Sequence, residues 1–187
     1  MEDSRIIELC EKRDTEAISA MNDKYGDYCF TVANNILGNR EDAEECVNDT
    51  WLRTWNAIPP HRPVWLKSFL AKITRNLALD RYTAKNADKR GGGETELVLE
   101  ELSECIAGRE TSESRFEAKE LEKCIGKFVK ELPERDGNIF MRRYFFMEPT
   151  AETAKKFGMK ESNVLLILSR TRKKLKAHLI KEGFVDE

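Results

Sequence analysis

The 187-residue sequence predicts an all-helical protein of two small domains joined by an acidic linker, and three observations carry that prediction. Apolar residues recur at three- and four-residue spacing along most of the chain, with scarcely any of the alternation that builds strands. Charged residues make up 35% of the chain while glycine and proline are few, as in soluble helical proteins. Charge is also segregated. Residues 1–60 hold 6 basic and 13 acidic side chains and residues 61–90 hold 8 and 2; residues 91–122 hold 3 and 10, and residues 123–187 hold 15 and 9. A net charge of -2 therefore conceals two basic zones separated by an acidic one, and segregated positive charge points to a polyanionic partner, most commonly nucleic acid. The length suits one ordinary domain or two near the lower limit of self-supporting size, and the charge map favours 1–90, a linker at 91–113, and 114–187.

From Ser4 to Leu37 the apolar positions Ile6, Ile7, Leu9, Ala17, Ile18, Met21, Tyr25, Phe30, Val32, Ile36 and Leu37 predict two or three packed helices. Breaks are expected near Asp14 and Gly26, and Gly38 serves as a stop. Asn39 then caps a helix whose acidic first turn suits the helix dipole and which ends before Pro59 and Pro60. Ala43, Cys46, Val47 and Thr50 form its core stripe. Asp42, Glu45, Asn48, Asp49, Leu52 and Trp55 are left on another side, where acidic groups beside large apolar ones resemble a docking surface. Trp51 is better read as core.

The stretch from Val64 to Arg90 interleaves apolar, aromatic and cationic residues. Leu66, Phe69, Leu70, Ile73, Leu77 and Tyr82 predict the buried face, and Lys67, Lys72, Arg75, Arg81, Lys85, Lys89 and Arg90 a cationic exposed one. An ordinary core helix with a solvated face is the plainer alternative. Three glycines then open the acidic linker, which has room for one short helix around Leu97, Val98, Leu99, Leu102 and Ile106.

Ser114–Leu132 predicts an amphipathic helix ended by Pro133, and a second helix presents Ile139, Phe140, Tyr144 and Phe145. A short helix from Thr150 to Phe157, a turn at Gly158 and a long helix from Glu161 to Lys181 match helix-turn-helix spacing. Val164, Leu168, Thr171, Leu175 and Leu179 point inward on the long helix. The run RTRKKLK supplies the phosphate-facing cations a recognition helix needs.

Cys10, Cys29, Cys46, Cys105 and Cys124 are scattered, with no C-x-x-C pair and only two histidines to help, so reduced buried thiols are expected and no metal or other cofactor. No apolar run is long enough to span a bilayer, and the acidic N-terminus is unlike a signal peptide, so a cytoplasmic protein is expected. No nucleophile motif, paired catalytic carboxylates or phosphate loop stands out, and no enzyme is expected.

In the order GNREDAEECVNDTWLRTW, FLAKITRNLALDRY, LPERDGNIFMRRYFF and TAETAKKFGMKESNV, the chain resembles the extracytoplasmic-function sigma factors of the sigma-70 family of bacterial RNA polymerase. The resemblance covers nearly the whole chain and implies a non-catalytic specificity subunit for transcription initiation. It implies that the first domain docks on core RNA polymerase through Asp42, Glu45, Asn48, Asp49, Leu52 and Trp55. The loop from Pro59 to Leu66 would form a base pocket, and His61, Arg62, Leu66, Lys72, Arg75, Asn76, Asp80 and Arg81 would act on minus-10 promoter DNA. The second domain would read the minus-35 element with Lys160, Asn163, Leu166, Ser169, Arg170, Lys173 and Lys174. Two departures stand out: Leu165, Leu166 and Ile167 occupy the start of the recognition helix, where polar and cationic residues are usual, and PHRPVW replaces a more polar loop. The leucines suit thymine methyls or a protein partner such as an anti-sigma factor. The rival readings are a helix-turn-helix regulator that is no polymerase subunit, and a helical protein-protein adaptor. The docking helix beside a basic strand-binding helix argues against the first, and the paired basic zones against the second.

Overall fold

A computed structural model of the chain describes residues 1–86, 93–106 and 115–185, and among these it is helical without strands. Two compact units divide it at Gly91 and Gly92. Residues 91, 92 and 107–113 of the expected linker, and Lys89 and Arg90 of the expected cationic stretch, lie outside the described residues.

The first unit contains α1 (Asp3–Glu11), α2 (Glu16–Leu37), α3 (Arg40–Ala57) and α4 (Leu66–Asn86). Helices α2, α3 and α4 pack on one another and α1 lies against α2, around a core that includes Ile6, Leu9, Met21, Trp51, Ile58, Leu66 and Leu70. Gly38 ends α2 with φ 62°, a left-handed conformation suited to glycine. The Asn39 side chain accepts from the Asp42 N–H at 3.0 Å, the expected cap. Only one break interrupts the region before Gly38, at residues 12–15; α2 runs through Gly26 without stopping. A lone glycine costs a helix interior only about 1 kcal/mol, which packing along two neighbours offsets.

On α4 the buried seam differs from the expected one. Leu66, Leu70, Ala71, Thr74 and Ala78 are buried, while Phe69, Ile73, Leu77 and Tyr82 are half-exposed. Thr74 draws the seam round: its hydroxyl donates to the Leu70 carbonyl at 2.9 Å and lies 3.1 Å from the Thr50 hydroxyl of α3, so two fully buried polar groups satisfy each other where the helices meet.

The second unit contains α5 (Glu94–Ile106), α6 (Arg115–Glu131), α7 (Glu134–Tyr144), α8 (Thr150–Phe157) and α9 (Glu161–Lys181). All the others pack against α9, whose inward residues Val164, Leu168, Thr171, Leu175 and Leu179 are buried as periodicity predicts. Gly158, with φ 60°, makes the turn between α8 and α9. The segment read as linker departs from expectation, because α5 buries Thr95, Val98 and Cys105 and belongs to this unit. The five cysteines are free and buried. No helix of the described residues is long and apolar enough to cross a membrane.

Candidate nucleic-acid and partner interfaces

Helices α3 and α4 carry the two candidate sites of the first unit, and ion pairs join them. Arg81 on α4 reaches Glu45 at 2.8 Å and Asp49 at 2.5 Å on α3, and Lys85 reaches Asp42 at 2.5 Å. The hydrogen bonds to Glu45 and Asp49 push the Arg81 guanidinium pKa up, and the same contact holds Glu45 below the usual carboxylate range. The expected docking acids are thus bound to cations of the neighbouring helix. Asn48 is exposed beside them, and Leu52 is 59% exposed. Trp55 is half-buried, with its ring under the Arg13 guanidinium 5.5 Å away and its carbonyl accepting from Arg13. Trp51 is buried, as expected.

Lys72, Asn76 and Asp80 are exposed along α4. Arg75 is not: it is half-buried, and burial pushes its guanidinium pKa down. Arg81, for its part, is held by Glu45 and Asp49, so the expected run of outward cations is thinner than the sequence suggests. Before α4, His61 and Arg62 are exposed, and Arg62 grips Glu11 at 3.0 and 3.1 Å. Leu66 corrects the expectation most sharply. It is 0% exposed within the core, whereas its neighbours Val64 and Trp65 are 84% and 75% exposed. The start of a helix turns adjacent side chains to different sides; periodicity placed Leu66 on the buried face, and only the family resemblance assigned it to the DNA site.

In the second unit Lys160, Asn163, Leu166, Arg170, Lys173 and Lys174 are exposed and Ser169 is half-exposed. Leu165 and Leu166 are each 48% exposed on the first turns of α9. Lys160 occupies the N-cap position with no side-chain cap bond. Glu148, just before α8, was not anticipated from sequence. Its buried carboxylate joins Arg142 at 2.9 Å, Lys156 at 2.5 Å and the Thr153 hydroxyl at 2.9 Å. Burial alone would raise its pKa, but bonds from Lys156 and Thr153 and the charge of Arg142 hold it below the ordinary glutamate value. A hydrogen bond from Thr150 to Glu161 spans the starts of α8 and α9. These contacts fix the angle at which α9 is presented.

A second unanticipated cluster lies behind α9. Arg143, 4% exposed on α7, pairs with Glu94 and with Glu101 of α5, the latter at 2.9 Å. Glu101 also accepts from the Tyr144 hydroxyl at 2.8 Å and from Arg172 of α9 at 3.2 Å. No group of histidines, cysteines and carboxylates suited to a metal ion occurs among the described residues.

A helical unit with acidic and basic helices side by side, followed by a unit whose helix-turn-helix presents a cationic long helix, defines a two-domain DNA-binding protein. The family model for sigma-70 region 2 matches residues 22–87, and that for sigma-70 region 4 matches residues 122–175. The chain belongs to the sigma-70 family, in its extracytoplasmic-function group, which gives it a role in promoter recognition at transcription initiation. No curated protein gives a significant match.

Proposed function

We propose that this sigma factor binds core RNA polymerase through the exposed edge of α3, holds the opened minus-10 strand on α4 and the loop before it, and reads minus-35 DNA with α9. The observation that carries the reading is the juxtaposition in one small unit of a partner face, with Leu52 exposed beside Trp55, and a strand-binding face, with Trp65, Lys72, Asn76 and Asp80 exposed. Trp65 takes the place first given to Leu66: an exposed indole offers a stacking surface to an unpaired base, while a fully buried leucine offers none.

At the second unit, Arg170 is the base reader, because its planar guanidinium can fork onto a guanine edge. Lys160, Lys173 and Lys174 grip phosphate, Asn163 and Ser169 offer polar contacts, and Leu166 packs on a thymine methyl. The test is assembly of purified protein with core polymerase on a promoter selected from random sequence, followed by permanganate footprinting. Binding to core with permanganate-reactive thymines near position minus-10 supports the proposal. Binding to duplex DNA with no affinity for core would make the protein a helix-turn-helix regulator instead.

A further inference from the structure

Helix α1 ends in a Schellman turn. The Asp14 N–H donates to the Leu9 carbonyl at 2.9 Å and the Arg13 N–H to the Cys10 carbonyl at 3.1 Å, with Arg13 in the left-handed region at φ 58°. Glycine fills that position most readily, because a Cβ there meets the following carbonyl. Leu9 and Cys10 are buried at the foot of the turn, and the Asp14 carboxylate accepts from the Glu16 N–H at 3.0 Å where α2 begins. The backbone that aims Arg13 is therefore held on both sides. Its side chain reaches the end of α3, where the guanidinium donates to the Trp55 carbonyl and lies 5.5 Å from the centroid of the Trp55 ring. Helix α3 has no basic residue in its own last turn, so Arg13 supplies the positive charge that its C-terminal carbonyls favour.

We infer that Arg13 is a positioning residue for polymerase docking, acting through Trp55 by fixing the indole in its binding orientation before the partner arrives. This rests on α3 being the docking element, as proposed above. One planar cation holds both the backbone and the ring of the same residue, while the rest of the indole packs against the core and Leu52 stands exposed one turn earlier. An anchor already ordered in the free protein loses less freedom on binding, so its contact area is converted to affinity with a smaller deduction. A group that only capped α3 would act differently. It would raise the melting temperature and leave the affinity of the folded protein alone.

The test is a double-mutant cycle on the full-length protein: affinity for core polymerase is measured for wild type, Arg13→Gly, Trp55→Ala and the double variant, each at a temperature where circular dichroism shows it folded. Arg13→Gly relieves the left-handed backbone, so it should melt within about 3 °C of wild type. It should nevertheless bind core roughly three- to tenfold more weakly, the loss expected when one side chain must be ordered on binding. Where Trp55 is already alanine, the glycine should change affinity by less than about twofold. Arg13→Lys keeps a cation within reach of ring and carbonyl and should stay within about twofold of wild type. Acrylamide quenching of the free protein, with Trp65→Phe so that half-buried Trp55 is the most accessible indole, should increase for Arg13→Gly. Wild-type affinity in Arg13→Gly overturns the role, as does an equal loss with and without Trp55, or unchanged quenching. Unchanged affinity in folded Trp55→Ala would instead remove the docking reading, and the role of Arg13 with it.

Discussion

Trp65→Ala and Leu66→Ala are neighbouring substitutions for which opposite outcomes are expected. Leu66 is 0% exposed, in contact with the core of the first unit, so its truncation removes a full side chain from close packing and should cost about 2–5 kcal/mol. In a domain of this size that lowers the melting temperature by about 10 °C or more. Trp65 is 75% exposed, and its truncation should leave stability within about 0.5 kcal/mol. The proposed role predicts instead a loss of strand affinity of about 1–3 kcal/mol for one stacked base. That corresponds to roughly 5- to 150-fold in affinity. Thermal unfolding followed by circular dichroism gives the first quantity. Holoenzyme binding to a fluorescent single-stranded minus-10 oligonucleotide, at a temperature where both variants are folded, gives the second. The reasoning fails if Trp65→Ala melts early, or if folded Leu66→Ala loses strand affinity while Trp65→Ala keeps it.

Trp55→Ala should weaken binding to core polymerase by about 2 kcal/mol or more, measured by fluorescence anisotropy; unchanged affinity in a folded variant removes α3 as the docking element. Arg170→Ala should relax preference at one minus-35 position in promoter selection, while Lys173→Ala should weaken all sequences alike and lower the salt slope by about one. Acid should detach α5 first. Burial alone would raise the Glu101 pKa, but bonds from Arg143 and Tyr144 and the charge of Arg172 hold it below 4.5, so its stabilising contribution is present above that pH and is lost as pH falls below it. Exchange measured between pH 5 and pH 3 should show residues 94–106 opening before α9, and simultaneous opening contradicts this.

Much of the helical plan is legible because burial repeats at helical spacing: Val164, Leu168, Thr171, Leu175 and Leu179 form an unbroken stripe, and all five are buried. What escaped the sequence reading is polar burial. Arg143 and Glu148 were not singled out because a charged side chain gives no local sign of the partners that will neutralise it. Thr74 escaped for the same reason, and its absence from the expected seam misplaced the buried face of α4. The α5 segment read as a spacer because glycines precede it and its acids, counted as solvated, have their cations on α7 and α9. Among the site residues, outward positions on α9 followed directly from the stripe, whereas Arg75, Arg81 and Leu66 depended on neighbours no local pattern reveals.

The ion pairs between α3 and α4 bear on the genetics of this protein. A substitution at Arg81 alters a helix proposed to hold DNA, but it also leaves Glu45 and Asp49 without their cation on a helix proposed to hold polymerase. Single alleles on either helix should therefore show mixed phenotypes, defective in both partners. Allele pairs that exchange the charges, such as Arg81→Glu with Asp49→Arg, separate the two: restored polymerase binding with DNA binding still impaired identifies the share of Arg81 that belongs to the nucleic acid.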